Sequence, residues 1–247
     1  MSVDLKAHAV RLRDLHHGEE MLVLPNAWDA ASAKVVAAAG YPAVATSSAA
    51  TAAQLGLPDG EGAPWPEMFA AAGRIARAVT VPVTMDAEAG YGLRPRELVD
   101  QLLEIGVVGC NLEDTDHRAG GLVDAGRQAE YLAAVRSAAD DAGIPIVVNA
   151  RIDVFLAGAG LAEAVRRGRQ YLAAGADCVY PIGIADERDI AAFVTEVPGP
   201  VNANTRPDGL GLAELRKLGV ARVSYGPRFY RRALADLEAA LRQERAV

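Results

Sequence analysis

Eight short apolar runs rich in β-branched residues recur along the chain, separated by Ala-rich amphipathic stretches, and this alternation constrains the fold more than any other feature. It is the pattern of repeated strand–helix units, because parallel strands are joined by crossovers and the usual crossover is a helix. The runs are Leu22–Ala27, Ala43–Ser48, Val81–Glu88, Gly109–Asp114, Pro145–Asp153, Asp177–Gly183, Pro200–Thr205 and Arg222–Pro227. Helical segments between them include Arg94–Gly106, Arg127–Gly143, Leu161–Gly175 and Leu210–Gly219. Each closes on a glycine suited to a left-handed C-terminal cap. A final helix begins near Phe229, and a short one from Asp4 to about His16 should cover the base or flank of the sheet.

A doubly wound open sheet would use the same alternation, but it would carry a glycine-rich turn after the first strand. Pro25-Asn26-Ala27-Trp28-Asp29 stands there instead. Eight strands in 247 residues fit a closed barrel. The expectation is therefore an α/β chain folded as a (β/α)8 TIM-type barrel, a single domain over residues 1–247.

With 51% hydrophobic and 23% charged residues, the chain can bury a sizeable core. Its net charge of −7, without any Lys/Arg-rich block, argues against nucleic acid or an anionic membrane as a partner. No run approaches the ~18 apolar residues of a membrane span. The N-terminal segment is charged throughout and does not resemble a signal peptide, so a cytoplasmic location is expected. Cys110 and Cys178 lack metal-ligand spacing and sit inside apolar runs, which reads as buried thiols with no disulfide.

A barrel of this kind places its site at the C-terminal ends of the strands. The polar residues there are unusually acidic: Asp86 and Glu88 end the third run, Glu113-Asp114 the fourth, and Arg151 with Asp153 the fifth. Spaced two apart on a strand, Asp86 and Glu88 should face one space. Glu113 adds a third carboxylate, and three together repel unless protonated or neutralised by a cation. A hard divalent ion such as Mg²⁺ is the simplest answer. Arg151 suits a substrate carboxylate or a salt bridge to Asp153 or Glu113, and the two roles are compatible. Ser47 and Ser48 could offer backbone N–H groups to a carboxylate or enolate. Asn202, on the seventh strand, is a further candidate for substrate binding.

The only lysines, Lys6, Lys34 and Lys217, fall in helical segments, which argues against Schiff-base chemistry. Of the four histidines, His8, His16 and His17 lie in the N-terminal helix and are expected to be solvated. His117 follows Glu113 in the next loop, where it could act as an acid or base.

Several segments together resemble the isocitrate lyase/phosphoenolpyruvate mutase superfamily: Ser47-Ser48 with Gln54-Leu55-Gly56-Leu57-Pro58-Asp59, Asp86-Ala87-Glu88-Ala89-Gly90-Tyr91-Gly92, Asn111-Leu112-Glu113-Asp114 and Asn149-Ala150-Arg151-Ile152-Asp153. The resemblance implies Mg²⁺, replaceable by Mn²⁺, held directly by Asp86 and mainly through water by Asp59, Glu88 and Glu113. It also implies Arg151 on the substrate carboxylate, assisted by backbone N–H groups at Ser47 and Ser48, and outer helices packed between subunits of a homo-oligomer. Glu88 replaces the aspartate usual in the family, and Ala45 replaces an aromatic residue. The loop Thr115–Asp124 carries neither the Lys-x-Cys-Gly-His motif of the lyases nor the lysine and asparagine or threonine of the phosphonate enzymes. The chain is thus expected to be an Mg²⁺-dependent carbon–carbon lyase or decarboxylase. Its substrate would be a small 2-oxo-dicarboxylate such as oxaloacetate, with Glu113, His117 and Arg151 as catalytic residues. Phosphoenolpyruvate or phosphonopyruvate chemistry is the enzymatic alternative, and a non-catalytic oxo-acid-binding protein is the alternative of another class.

Overall fold

The structure, a computed structural model, describes residues 4–245. Its strands are β1 (Leu22–Leu24), β2 (Asn26–Ala27), β3 (Val44–Thr46), β4 (Val83–Asp86), β5 (Gly109–Glu113), β6 (Val147–Ile152), β7 (Cys178–Pro181), β8 (Asn202–Asn204) and β9 (Arg222–Ser224). All pairings between them are parallel, with β2 through β7 in chain order and β9 lying between β1 and β8. A parallel bridge from Val179 to Val201 joins β7 to β8.

Pro25 divides the first apolar run, because a residue without an N–H cannot serve the ladder. The first half pairs with β9 and the second with β3. That division closes the barrel, and the strands fall inside the eight runs expected from sequence.

The helices are α1 (Leu5–His17), α2 (Ala30–Ala38), α3 (Ser48–Leu55), α4 (Trp65–Ala78), α5 (Pro95–Glu104), α6 (Ala125–Asp141), α7 (Leu161–Ala173), α8 (Glu187–Glu196), α9 (Leu212–Lys217) and α10 (Arg228–Arg245). The longer ones between strands bury one face; in α4 it is Met68, Phe69, Ala71, Ala72, Gly73, Ile75 and Ala76, the pattern of a helix with one apolar side. The core is continuous from these stripes to the outer faces of the strands.

The helix α1 covers the base of the barrel. Asp4 caps it, accepting from the Ala7 N–H at 3.0 Å. Ala9 and Leu12 pack with Leu22, Leu24, Val108 and Val147 near the strand starts. Gly109 permits that approach, since a Cβ there would lie 2.8 Å from Leu12 Cδ2. The expectation that His16 is solvated is overturned. It continues the Ala9–Leu12 stripe and is 2% exposed. Its Nδ1 bonds the Leu12 carbonyl at 2.7 Å. Burial, reinforced by the Arg222 guanidinium, pushes its pKa down to about 3, so the ring is neutral.

Both cysteines are buried free thiols, their pKa values pushed up to about 12 by burial, which leaves them inert as nucleophiles. Among the described residues no helix is long and apolar enough to cross a membrane. The helix α10 buries none of its residues and exposes Phe229, Leu234, Leu237 and Leu241.

Candidate active site

At the C-terminal end of the strands a cavity of about 170 Å³ opens, lined by Ser47, Ser48, Asp59, Asp86 and Arg151 from the sequence-derived candidates. Asn26, Asn111, Tyr180, Asn204 and Ser224 line it as well.

Asp86 ends β4, and its backbone N–H donates to Thr46 Oγ1 at 2.9 Å. Its Oδ2 accepts from the Ser48 N–H at 3.1 Å and the Ser48 hydroxyl at 3.0 Å. Ser48 opens α3, with Ser47 as the cap residue accepting from the Ala50 N–H. The carboxylate thus lies at a helix N-terminus, where free N–H groups favour negative charge. The Ser48 N–H expected to meet substrate is therefore committed to Asp86. Asp86 Oδ1 is buried with no hydrogen-bond partner.

Strand alternation does not extend to Glu88, because β4 stops at Asp86 and Glu88 adopts φ 49. Glu61 and Tyr91 also take positive φ, at 57 and 55. Non-glycine residues are uncommon there and persist when surrounding contacts enforce them. Here Glu61 N–H and Tyr91 O–H donate to the Glu88 carboxylate, while Tyr91 N–H donates to Glu61 Oε1 at 2.5 Å. The loop after α3 is thereby latched to the loop after β4.

Burial outweighs those donors and pushes the Glu88 pKa up from 4.5 to about 7. The folded protein therefore holds a proton that the unfolded chain releases near pH 4.5, and the associated stability is full below 4.5 and lost as pH rises through 7. Glu88→Gln removes this titration. Measured in EDTA, the melting temperature of the variant relative to the native protein should move in the variant's favour between those two pH values. A constant offset across the range would refute the assignment.

Glu113 ends β5 and is 2% exposed. Its two oxygens are engaged, Oε1 by His117 Nε2 at 2.5 Å and Oε2 by Arg151 Nη1. Arg151 also grips Asp153 through two bonds, Nε to Oδ1 at 2.7 Å and Nη2 to Oδ2 at 2.8 Å. A guanidinium has five N–H donors, so two remain for a ligand. The bond to Glu113 raises the pKa of His117, favouring the imidazolium. His117 does not line the cavity; its ring lies against Gly60.

Of the four expected metal ligands, Asp59 and Asp86 line one cavity, their charges act on Glu88, and that of Asp86 acts on Glu113. Among the described residues no group of three or more His, Cys, Asp or Glu side chains forms a ready-made metal cluster. Glu88 is drawn to Tyr91 and Glu61, and Glu113 to Arg151 and His117, whereas Asp86 keeps a free oxygen and Asp59 shares its cavity. Asn202 lies one layer below the cavity, bonded to Ser224, and Asn204 lines it instead.

Sequence reasoning passed over Asn26, which stitches the barrel seam: its Nδ2 donates to the Thr46 carbonyl, and its Oδ1 accepts from the N–H groups of Tyr225 and Gly226. Its place at the end of the first run was the available signal. It also missed the buried set Asp114, Arg167 and Tyr171, in which Arg167 Nη1 and the Tyr171 hydroxyl meet Asp114 Oδ2 at 2.8 and 2.7 Å. Arg167 further holds the Val123 carbonyl, fixing the far end of the loop after β5.

A family model described as phosphoenolpyruvate phosphomutase matches residues 12–244. The 2,3-dimethylmalate lyase of Eubacterium barkeri is 32% identical over 225 residues, spanning 85% of this chain and 77% of that one. The 2-methylisocitrate lyase of Bacillus subtilis (strain 168) is 31% identical over 205 residues, 79% and 66% of the two chains. A solved Burkholderia cenocepacia J2315 protein, provisionally described as a phosphonomutase, superposes with a TM-score of 0.88 at 41% identity, covering 95% of this chain and 99% of its own. With this match over nearly its whole length, the chain belongs to the isocitrate lyase/phosphoenolpyruvate mutase superfamily of enzymes.

Proposed function

We propose that the enzyme cleaves a carbon–carbon bond in a small 2-oxo-dicarboxylate such as oxaloacetate, by decarboxylation or a related lyase step through an enolate. The observation that carries this reading is the pairing, in one cavity of about 170 Å³, of an uncommitted Asp86 oxygen with the two free N–H groups of Arg151. That volume is several times the ~30 Å³ share of one water molecule, enough for a short diacid.

The residues fit Mg²⁺ in the mode this ion prefers, with one or two carboxylates and the remaining positions filled by water. Asp86 would hold it directly through Oδ1, with Asp59 and Glu88 acting through water. Glu113, already tied to Arg151 and His117, would not be a direct ligand. When bound, Mg²⁺ or Mn²⁺ would supply Lewis-acid stabilisation of the negative charge that develops on cleavage. Arg151 anchors the substrate carboxylate, and Glu113 and Asp153 fix the plane of its guanidinium. The proton held between His117 and Glu113 is the nearby reserve for reprotonating the product carbon, reached by movement of the loop or through solvent.

Two relatives named as lyases support cleavage, and the similarity to a protein provisionally described as a phosphonomutase keeps phosphoryl chemistry in view. Among the described residues Arg151 is the sole cation lining the cavity, which favours a carboxylate over a phosphoryl group. Asp116 and Asp124 in the adjoining loop add negative charge while capping local backbone. The test is a parallel assay with oxaloacetate, isocitrate, methylisocitrate and phosphonopyruvate in Mg²⁺, corrected for metal-catalysed decay. Oxaloacetate should turn over fastest; faster turnover of phosphonopyruvate or isocitrate overturns the reading.

The exposed Leu234, Leu237 and Leu241 follow helical spacing, and we propose that α10 buries this stripe in a homo-oligomer. Sedimentation at micromolar concentration should detect a dimer or larger species. Leu237→Glu and Leu241→Glu together should shift it toward the monomer, and a native monomer would refute the proposal.

A further inference from the structure

The barrel interior beneath the cavity holds a cation that the reaction outlined above does not use. Arg222 opens β9 and is fully buried. It lies two residues before Ser224, which lines the cavity, and residues two apart on a strand share a face. The guanidinium therefore occupies the layer below the cavity floor. Among the described residues no carboxylate bonds to it. Its partners are Asn111 Oδ1, 3.2 Å from Nη2, and His16 Nε2, 3.3 Å from Nη1, while Nε is buried without a partner. A buried charge lacking a counter-ion is costly to keep.

The contact with Asn111 has a definite polarity. A guanidinium offers donors only, so the Asn111 atom facing it must be the amide oxygen. Asn149 Nδ2 donates to that same oxygen at 2.8 Å. Two donors, Arg222 and the neighbouring-strand residue Asn149, thus fix the amide, and its NH₂ group is turned away from them. Asn111 itself lines the cavity. At the other end, His16 Nδ1 bonds the Leu12 carbonyl, leaving the Nε2 lone pair to receive Arg222. A neutral histidine on α1 therefore braces the arginine from the base of the barrel.

We propose that Asn111 is a substrate-facing hydrogen-bond donor whose orientation is enforced by the buried Arg222, which acts as a positioning residue. The positive charge behind the amide also polarises it, so its N–H groups suit an oxygen gaining negative charge. Identifying that oxygen with the enolate or carboxylate of an oxo-acid rests on the proposed function; the orientation of the amide does not. Without Arg222, the amide could rotate and present its oxygen to an anion.

Asn111→Asp separates this role from a structural one. The aspartate is nearly isosteric and would pair with Arg222, so the melting temperature should hold or rise. In the cavity it would present a lone pair and a charge in place of a donor. Oxalate affinity, measured by calorimetry in Mg²⁺, should then fall by roughly 10- to 100-fold, the range for a lost hydrogen bond to a charged group. Arg222→Met should weaken oxalate by about tenfold, with partial recovery in Arg222→Lys. Oxalate binding by Asn111→Asp within about twofold of native, against that expected loss, overturns the proposal. Loss of oxalate affinity in an enzyme that turns over no oxo-acid would leave the orientation standing and remove the proposed reaction. Oxaloacetate turnover with unchanged oxalate affinity in Asn111→Asp would do the reverse.

Discussion

Asp86→Ala should lower kcat/KM by about a thousandfold or more, since loss of several kcal/mol of charge stabilisation corresponds to that factor. Among the described carboxylates, Asp86 alone combines a buried, unpaired oxygen with a second oxygen locked to Ser48 at the start of α3. Neighbouring Glu88 and Glu113 are tied elsewhere. Exhaustive chelation by EDTA should reproduce the loss in the native enzyme, and Mg²⁺ or Mn²⁺ should restore activity there but not in the variant. Calorimetric titration with Mg²⁺ should likewise show binding to the native protein and none to Asp86→Ala. Glu88→Asp should be mild, at most about tenfold, because it keeps a carboxylate for the Glu61 and Tyr91 donors and aspartate tolerates the left-handed conformation better than glutamate. Full activity after chelation, or an Asp86→Ala enzyme with native rates, would refute the assignment.

The barrel was legible in the sequence because its signal repeats: eight apolar runs alternate with amphipathic stretches, and Pro25 splits the first of them where the seam closes. The identities of Asp86 and Arg151 were legible because strand ends locate a barrel site. Less visible was where a strand stops. Glu88 lies in an apolar run but beyond β4, because contacts from Glu61 and Tyr91 hold a left-handed backbone that local composition does not encode. A period of two also gives the face of a residue without its depth. Asn202 and Asn204 share a face, yet only Asn204 reaches the cavity, since Asn202 is occupied by Ser224 a layer below. His16 could have been read correctly from its seven-residue spacing from Ala9 through Leu12, the stripe that α1 buries. Its partner Arg222, distant by 206 positions, could not.

Arg151→Met should damage both activity and stability, and the two losses should depend differently on pH. In the native enzyme Arg151 lies between Glu113 and Asp153, with its side chain 16% exposed and each carboxylate 3% exposed. Removing one partner from such a buried set typically costs ~3–5 kcal/mol, because the remaining charges stay desolvated and face each other. Burial already raises the pKa of Glu113, and Arg151 is among the groups opposing that rise. Without the guanidinium the folded-state pKa moves higher still, while the unfolded value is unchanged. A raised folded-state pKa leaves stability intact below the unfolded value and erodes it as pH rises through the folded value. The variant should therefore approach native stability in acid and fall furthest behind at neutral pH and above. Activity behaves otherwise, because protonating Glu113 does not rebuild an anchor for the substrate carboxylate. A loss of kcat/KM of about a thousandfold should persist across the range, and Arg151→Lys should recover little, since the three donors of an ammonium cannot serve Asp153 through two bonds and Glu113 through a third and still leave one for a ligand. Melting curves and kcat/KM measured on the same preparations across pH separate the two effects. Native-like kcat/KM in Arg151→Met would remove Arg151 as the carboxylate anchor, and a stability loss independent of pH would show that Glu113 and Asp153 do not require its charge.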